Sequence, residues 1–360
     1  MAKFCDCRYL VNEYSDLLIK SKFFDQRCEM WNKCGIKNVN LRRGWKMNRT
    51  WLSTITGSTL FYTTILLIGY FIFIGFISPA FLSPNNIALE LQHAAPIAIV
   101  AVGELGTLAI KQMDLSVGGI AEFSGILVVM FINNGINLPL AILLVLGIGV
   151  GIGLINGFIV NVGINSFIST FAVFEILGGL SLVLTKGWPL SANSSFFTFI
   201  SNFHFLGLSG QAIYAVIITV IGGIIYANFR IGRYIYAVGS NIEAAKISNV
   251  DVKKITYLVF SLSGILAAFS GIVSASFLNV AYSDVGSNYA LPAIAACVLG
   301  GASLFGGRGN PIGAFIGAFL ITIITDGLVM TNASPYWHDV VVGFILLFAV
   351  SMDLIKRRQY

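Results

Sequence analysis

The chain has 360 residues, of which 56% are hydrophobic and 11% charged, and its mean hydropathy is +0.84. A water-soluble domain of this size carries charge on nearer a quarter of its residues, so a soluble globular protein is excluded. The net charge of +6 does not indicate nucleic acid, because eleven of the 22 Lys and Arg residues fall in the first 50 positions and the rest are thinly scattered.

Residues 1–46 are polar and lack an apolar core segment, which is not the pattern of a cleaved secretory signal. They hold Cys5, Cys7, Cys28 and Cys34, whose C-x-C and C-x5-C spacings are not those of a zinc site, so unpaired thiols and no metal are expected. Met47 opens Met-Asn-Arg-Thr-Trp just before the first apolar run. It is expected to be the physiological start, and a cytosolic extension over 1–46 is the alternative.

The membrane part, 47–360, follows. Apolar runs are read at 53–76, 87–110, 115–133, 138–162, 166–184, 210–229, 255–277, 289–305, 310–326 and 337–355. They are apolar on all sides, which suits helices of about 20 residues crossing a bilayer core of about 30 Å and not barrel strands with alternating polarity. The expected fold is therefore an all-α polytopic bundle of ten spans with both termini cytoplasmic. Charge supports this: Lys111, Arg230, Arg233, Lys246, Lys253, Lys254, Arg308 and Lys356-Arg357-Arg358 fall on one side, and only Lys186 on the other. Ile97-Ala98…Gly103 and Ile294-Ala295…Gly300 echo each other weakly, as internal repeats do in transporters.

The longest basic-side loop, 230–254, reads RIGRYIYAVGSNIEAAKISNVDVKK. Ser240-Asn241-Ile242-Glu243 fits a capping box, Ala244, Ala245 and Lys246 favour helix, and Gly239 loosens the chain before the cap. Ser248 ends a helix of about two turns, too short to persist alone in water. It is either a membrane-surface helix packed on its neighbours or a docking helix for a cytosolic partner.

Gly239-x-Asn241-x-x-Ala244-Ala245-x-x-Ser248, with the lead-in Gly232-Arg233-Tyr234-Ile235-Tyr236-Ala237-Val238, resembles the coupling loop of ribose-type ABC importer permeases. Met113-Asp114-Leu115-Ser116-Val117-Gly118 and Ala293–Gly309 are similar to two further segments of that family, and the likeness runs from about residue 50 to 355. The resemblance implies a plasma-membrane subunit without catalysis or bound cofactor. Its partners would be an ATPase subunit using ATP and Mg, docked on Gly239, Ser240, Asn241, Glu243, Ala244, Ala245, Lys246 and Ser248; a second permease copy or paralogue; and an external solute-binding protein. The cargo would be a monosaccharide or similar solute, with branched-chain amino acids, nucleosides or autoinducer-type sugars as alternatives.

Ionisable groups within apolar runs need a reason, since insertion of one costs roughly 2.5–3.5 kcal/mol. Glu104, Asp114, Ser116, Asn288, Gly300 and Gly301 are the candidate pathway residues, with structural roles as the competing explanation. Asp114 suits a cap on the third span, and Ser287 or Asn288 a cap on the short eighth. Glu90, Glu122 and Glu175 also fall in or near spans, while His93, His204 and His338 have no metal spacing and are expected to be structural. No G-x-x-x-x-G-K-S/T or hydrolase motif is present, so if the chain is an active transporter its energy must arrive from outside the chain. An ion-driven secondary transporter using Glu104, Asp114, Glu122 or Glu175 is the competing class. Mass spectrometry of the intact purified protein tests the start site: a chain beginning at Met47 is expected, and an intact residue 1 makes 1–46 an extension.

Overall fold

The computed structural model describes residues 59–330, 334 and 337–358; the expectations on 1–46, including its cysteines, and on Met47 lie outside these residues. The main chain forms helices α1 Thr59–Ile77, α2 Pro84–Ala109, α3 Ser116–Asn133, α4 Leu138–Val162, α5 Ser166–Thr185, α6 Ser195–Asn202 and α7 Gly210–Asn228. Then come α8 Arg230–Ser240, α9 Ile242–Ile247, α10 Val252–Leu278, α11 Ala290–Leu299, α12 Pro311–Met330 and α13 Trp337–Arg358. Two-residue strands add little: β1 Leu190–Ser191 pairs antiparallel with β4 Val280–Ala281, and β2 His204–Phe205 with β3 Leu208–Ser209.

Seven helices among the described residues (α2, α3, α4, α5, α7, α10 and α12) are long and apolar enough to cross a membrane. The other three expected runs hold shorter apolar helices, Tyr62–Ile77, Ser287–Leu299 and Trp337–Ser351. The fold is thus all-helical and polytopic. Each apolar run contains a helix, and among the described residues seven of these combine the length and the apolarity of a span.

Helix ends follow local chemistry. Asn137 accepts from the Leu140 amide at 3.1 Å to start α4, and Gly163, at φ 108°, stops it. Asp251 starts α10 by accepting from the Lys254 amide at 3.1 Å, a bond that holds its exposed carboxyl below the usual range.

Helix α10 lies at the centre, packed on α2, α3 and α4. Without a hydrophobic drive between helices in lipid, small residues let backbones approach. Gly149, Gly153 and Gly157, four apart on α4, meet α10: a Cβ on Gly153 would collide with the Phe260 carbonyl, and one on Gly264 with that of Gly149. Across α10, Gly271 lies equally close to the Ala121 carbonyl of α3. At the end away from the basic loops, α6 is seated on α10 by Ser276 Oγ donating to Phe197 O (2.6 Å) and Ser201 Oγ to Val273 O (2.8 Å).

Helix α11 has ten residues, about 15 Å long and so half the bilayer core. The chain leading to it runs inside the bundle: a Cβ on Gly118 of α3 would lie 2.9 Å from the carbonyls of both Gly286 and Ser287. Gly264→Leu is expected to destabilise the protein by about 1–3 kcal/mol or more through overpacking. Gly151→Leu, with nothing within 4 Å of an added Cβ, should be neutral. Thermal unfolding in detergent compares the two; equal midpoints would show that α10 does not rely on this close approach.

Candidate functional site

The basic-side loop folds as two helices, α8 and α9, where the sequence pattern suggests one. Helix α8 runs through Ser240, whose hydroxyl donates back to Tyr236 O at 2.8 Å. The expected capping box is therefore not formed. Asn241, at φ −154° and ψ 108°, is the cap of α9 and accepts from the Ala244 amide at 3.1 Å. Glu243 pairs instead with Lys246 at 2.8 Å, one turn on.

Gly239 does not loosen the chain either. It is buried inside α8, where a Cβ would strike Ala109 O at the end of α2 and come within 2.6 Å of the Gly307 amide nitrogen. Ala245 is also buried, and its carbonyl accepts from Val250 at 3.0 Å, closing the loop. Ala244 is half-buried. Ser240, Asn241, Glu243, Lys246 and Ser248 remain exposed. Sequence reasoning passed over Ile247, which is 88% exposed at the tip of α9. An isoleucine just after a charged pair on a polar loop was the signal available.

Three segments meet beneath this loop. Gly307 donates its amide to Ala109 O at 2.8 Å, on the oxygen that Gly239 packs against. Gly306 and Gly307, at φ 77° and 75°, supply the left-handed turn that brings that amide round. Tyr236 OH donates to Gly309 O at 2.7 Å, joining α8 to the same loop. From the far side, Asp353 of α13 accepts from Ser303 Oγ and the Leu304 amide, each at 3.0 Å. The glycine-rich loop between α11 and α12 is therefore tied to α2, α8 and α13.

The candidate pathway residues do not form one site. Glu104, Asp114 and Ser116 come together, all buried: Glu104 Oε1 accepts from the Asp114 amide at 2.9 Å, and Asp114 Oδ1 from the Ser116 amide at 3.1 Å and its hydroxyl at 2.5 Å. Asp114 thus satisfies the first amide of α3 from one position before the cap, which is Leu115 and makes no side-chain cap bond. Asn156 of α4, which sequence reasoning missed, donates to Ser116 Oγ at 2.7 Å. Asn288 is exposed before α11 and caps nothing; Ser287 turns back to Asp284 at 3.0 Å, and α11 begins with no side-chain cap. Gly300 packs on Gly313 of α12, and Gly301, at φ 98°, turns the chain away.

Glu90 and Glu122 are buried, whereas Glu175 is exposed on α5. Cys297 on α11 donates to Ala101 O of α2 at 3.0 Å, so the two echoing segments lie against each other. No cluster of His, Cys, Asp and Glu able to hold a metal occurs among the described residues.

A polytopic helical bundle with a discontinuous helix, and a surface helix tied to its turn, has the build of a transport permease. Residues 86–350 match the family described as "Branched-chain amino acid transport system / permease component". The chain is 38% identical over 288 residues to the ribose import permease protein of Bacillus subtilis (strain 168), covering 79% of this chain and 89% of the relative. It is 33% identical to the ribose import permease protein of Escherichia coli (strain K12), covering 78% and 89%, and to the galactose/methyl galactoside import permease protein of the same strain, covering 78% and 90%. No solved structure matches. The chain belongs to this permease family, in its ribose-type branch of ABC importers.

Asn156→Leu removes the donor to Ser116 inside the buried carboxylate cluster. It is expected to lower stability by about 1–3 kcal/mol, seen as a lower unfolding midpoint in detergent; an unchanged midpoint would show that the cluster does not need this donor.

Proposed function

We propose that the chain is the membrane-spanning permease subunit of an ATP-driven importer for a monosaccharide or similar small sugar in the plasma membrane. The names of the ribose and galactose/methyl galactoside relatives support the cargo class. The observation that carries the mechanism is the junction at Ala109, where docking loop, glycine-rich turn and the end of α2 share one carbonyl.

The protein itself binds no cofactor and catalyses nothing. A separate ATPase subunit binds ATP and Mg and presses on the exposed side of α9, formed by Ile242, Glu243, Lys246, Ile247 and Ser248. Gly239 and Ala245 hold that surface to the bundle from within. Displacement of α9 moves α8, and α8 carries Gly307 and Gly309, which form part of the turn joining α11 to α12. A push from the cytosol is thus delivered to the half-length helix, and its two positions correspond to openings on opposite sides. The complete reading has ten membrane segments, α11 being a partial one, with both termini in the cytoplasm. A second permease copy or paralogue completes the pathway, and an external binding protein delivers the sugar.

Ile247→Glu is expected to abolish binding-protein-stimulated ATP hydrolysis in the reconstituted complex while leaving membrane insertion intact. Glu243→Arg, reversing the charge of the Lys246 partner, should act in the same direction. Wild-type stimulation in both would overturn the docking surface, and sugar accumulation by this chain alone, without nucleotide, would overturn the importer.

A further inference from the structure

At the end of the bundle away from the docking loop, α2 and α12 bring three ionisable side chains together. His93 Nδ1 lies 2.8 Å from Asp326 Oδ2. Glu90 is one turn before His93 on α2, and Thr322 one turn before Asp326 on α12, so all four share the seam between the helices. Glu90 is 2% exposed; Asn86 Nδ2 donates to its Oε1 at 3.4 Å, and its carboxyl also lies within hydrogen-bonding reach of Asp326. Thr322 Oγ1 is buried without a partner among the described residues.

The ion pair is open to the outside of the chain: the side chains of His93 and Asp326 are 41% and 32% exposed. It is also deep. Helix α2, at 26 residues, is about 39 Å long and overhangs a core of about 30 Å by some 4–5 Å at each end. His93, nine residues in, therefore lies roughly 9 Å within the hydrocarbon layer. An exposed imidazole and carboxylate at that depth do not face acyl chains; they face a water-filled space or a partner chain.

We propose that Glu90, His93 and Asp326 line the outer part of the sugar pathway and form a transient hydroxyl-binding station for the cargo. This rests on the importer reading above. Two carboxyl groups and an imidazole offer charge-assisted hydrogen bonds to adjacent hydroxyls of a neutral sugar, and the buried Thr322 Oγ1, without a partner among the described residues, supplies a hydroxyl. Nothing in the seam matches a fixed anion or an extended apolar ligand.

The test uses the permease reconstituted with its ATPase and binding protein, with radiolabelled ribose and galactose as probes. In Glu90→Gln and Asp326→Asn, sugar moved per ATP hydrolysed is expected to fall about five- to ten-fold, with stimulated hydrolysis within about two-fold of wild type. A merely structural role would lower both together. Independently, with the other cysteines replaced by alanine, the His93→Cys and Asp326→Cys thiols should react with a membrane-impermeant methanethiosulfonate added from outside. An unchanged ratio of sugar to ATP overturns the proposal, as does labelling only by a lipid-partitioning maleimide. Absence of ATP-driven sugar uptake by the wild type would instead refute the importer reading, and the labelling arm would still decide whether the seam is wet.

Discussion

The carbonyl of Ala109 is the point on which the basic end of the molecule turns. It is one of the unpaired acceptors that any helix leaves at its C-terminus. Here it is satisfied by Gly307, from a loop almost two hundred positions further on, while the backbone of α8 rests against it at Gly239. A side chain at position 239 would collide with this oxygen, and positions 306 and 307 need positive φ to present the amide. The glycines in three segments are therefore one requirement. The turn after α11 cannot move independently of α8, because Tyr236 and Asp353 hold it from two further sides.

A second constraint is the burial of Glu104 and Asp114 at the start of α3. One oxygen of each carboxyl is held by donors, Glu104 Oε1 by the amide of 114 and Asp114 Oδ1 by the amide and hydroxyl of Ser116, to which Asn156 also donates, while Glu104 Oε2 and Asp114 Oδ2 are buried without a partner among the described residues. That arrangement fixes where the chain turns between α2 and α3, with α3 starting inside the bundle. The approach to α11, packed on Gly118, meets it there. Two non-helical segments of the chain thus adjoin at the first turn of α3.

Hydropathy made the bundle legible, because lipid demands long apolar helices and the basic residues sort to one end. It could not show that the eighth run is a ten-residue helix followed by a turn, since an apolar residue looks the same on a short helix as on a long one. The loop at 230–254 was legible by its likeness to a family, but its register was not. Ser240 and Asn241 are both good caps, and the choice falls to Asn241 because α8 extends through Ser240 while Gly239 is packed on α2. Gly239 itself read as a loosening residue when its role is close approach. His93 and Asp326, 233 positions apart, carry no local signal of their pairing. Asn156 likewise sits in an otherwise apolar run, and only the packing of α4 against α3 shows what it does.

The brevity of α11 bears on leakage. A column of protein that is helical through only about half the apolar thickness seals against ions and water over roughly 15 Å instead of 30 Å. If α11 closes the pathway in the proposed importer, so thin a plug needs only a small sideways displacement to open, and equally small errors in its seating would let the ion gradient run down. In that importer the bonds that anchor the turn after α11 to α2, α8 and α13 would act as a safeguard for the energised membrane as well as a lever.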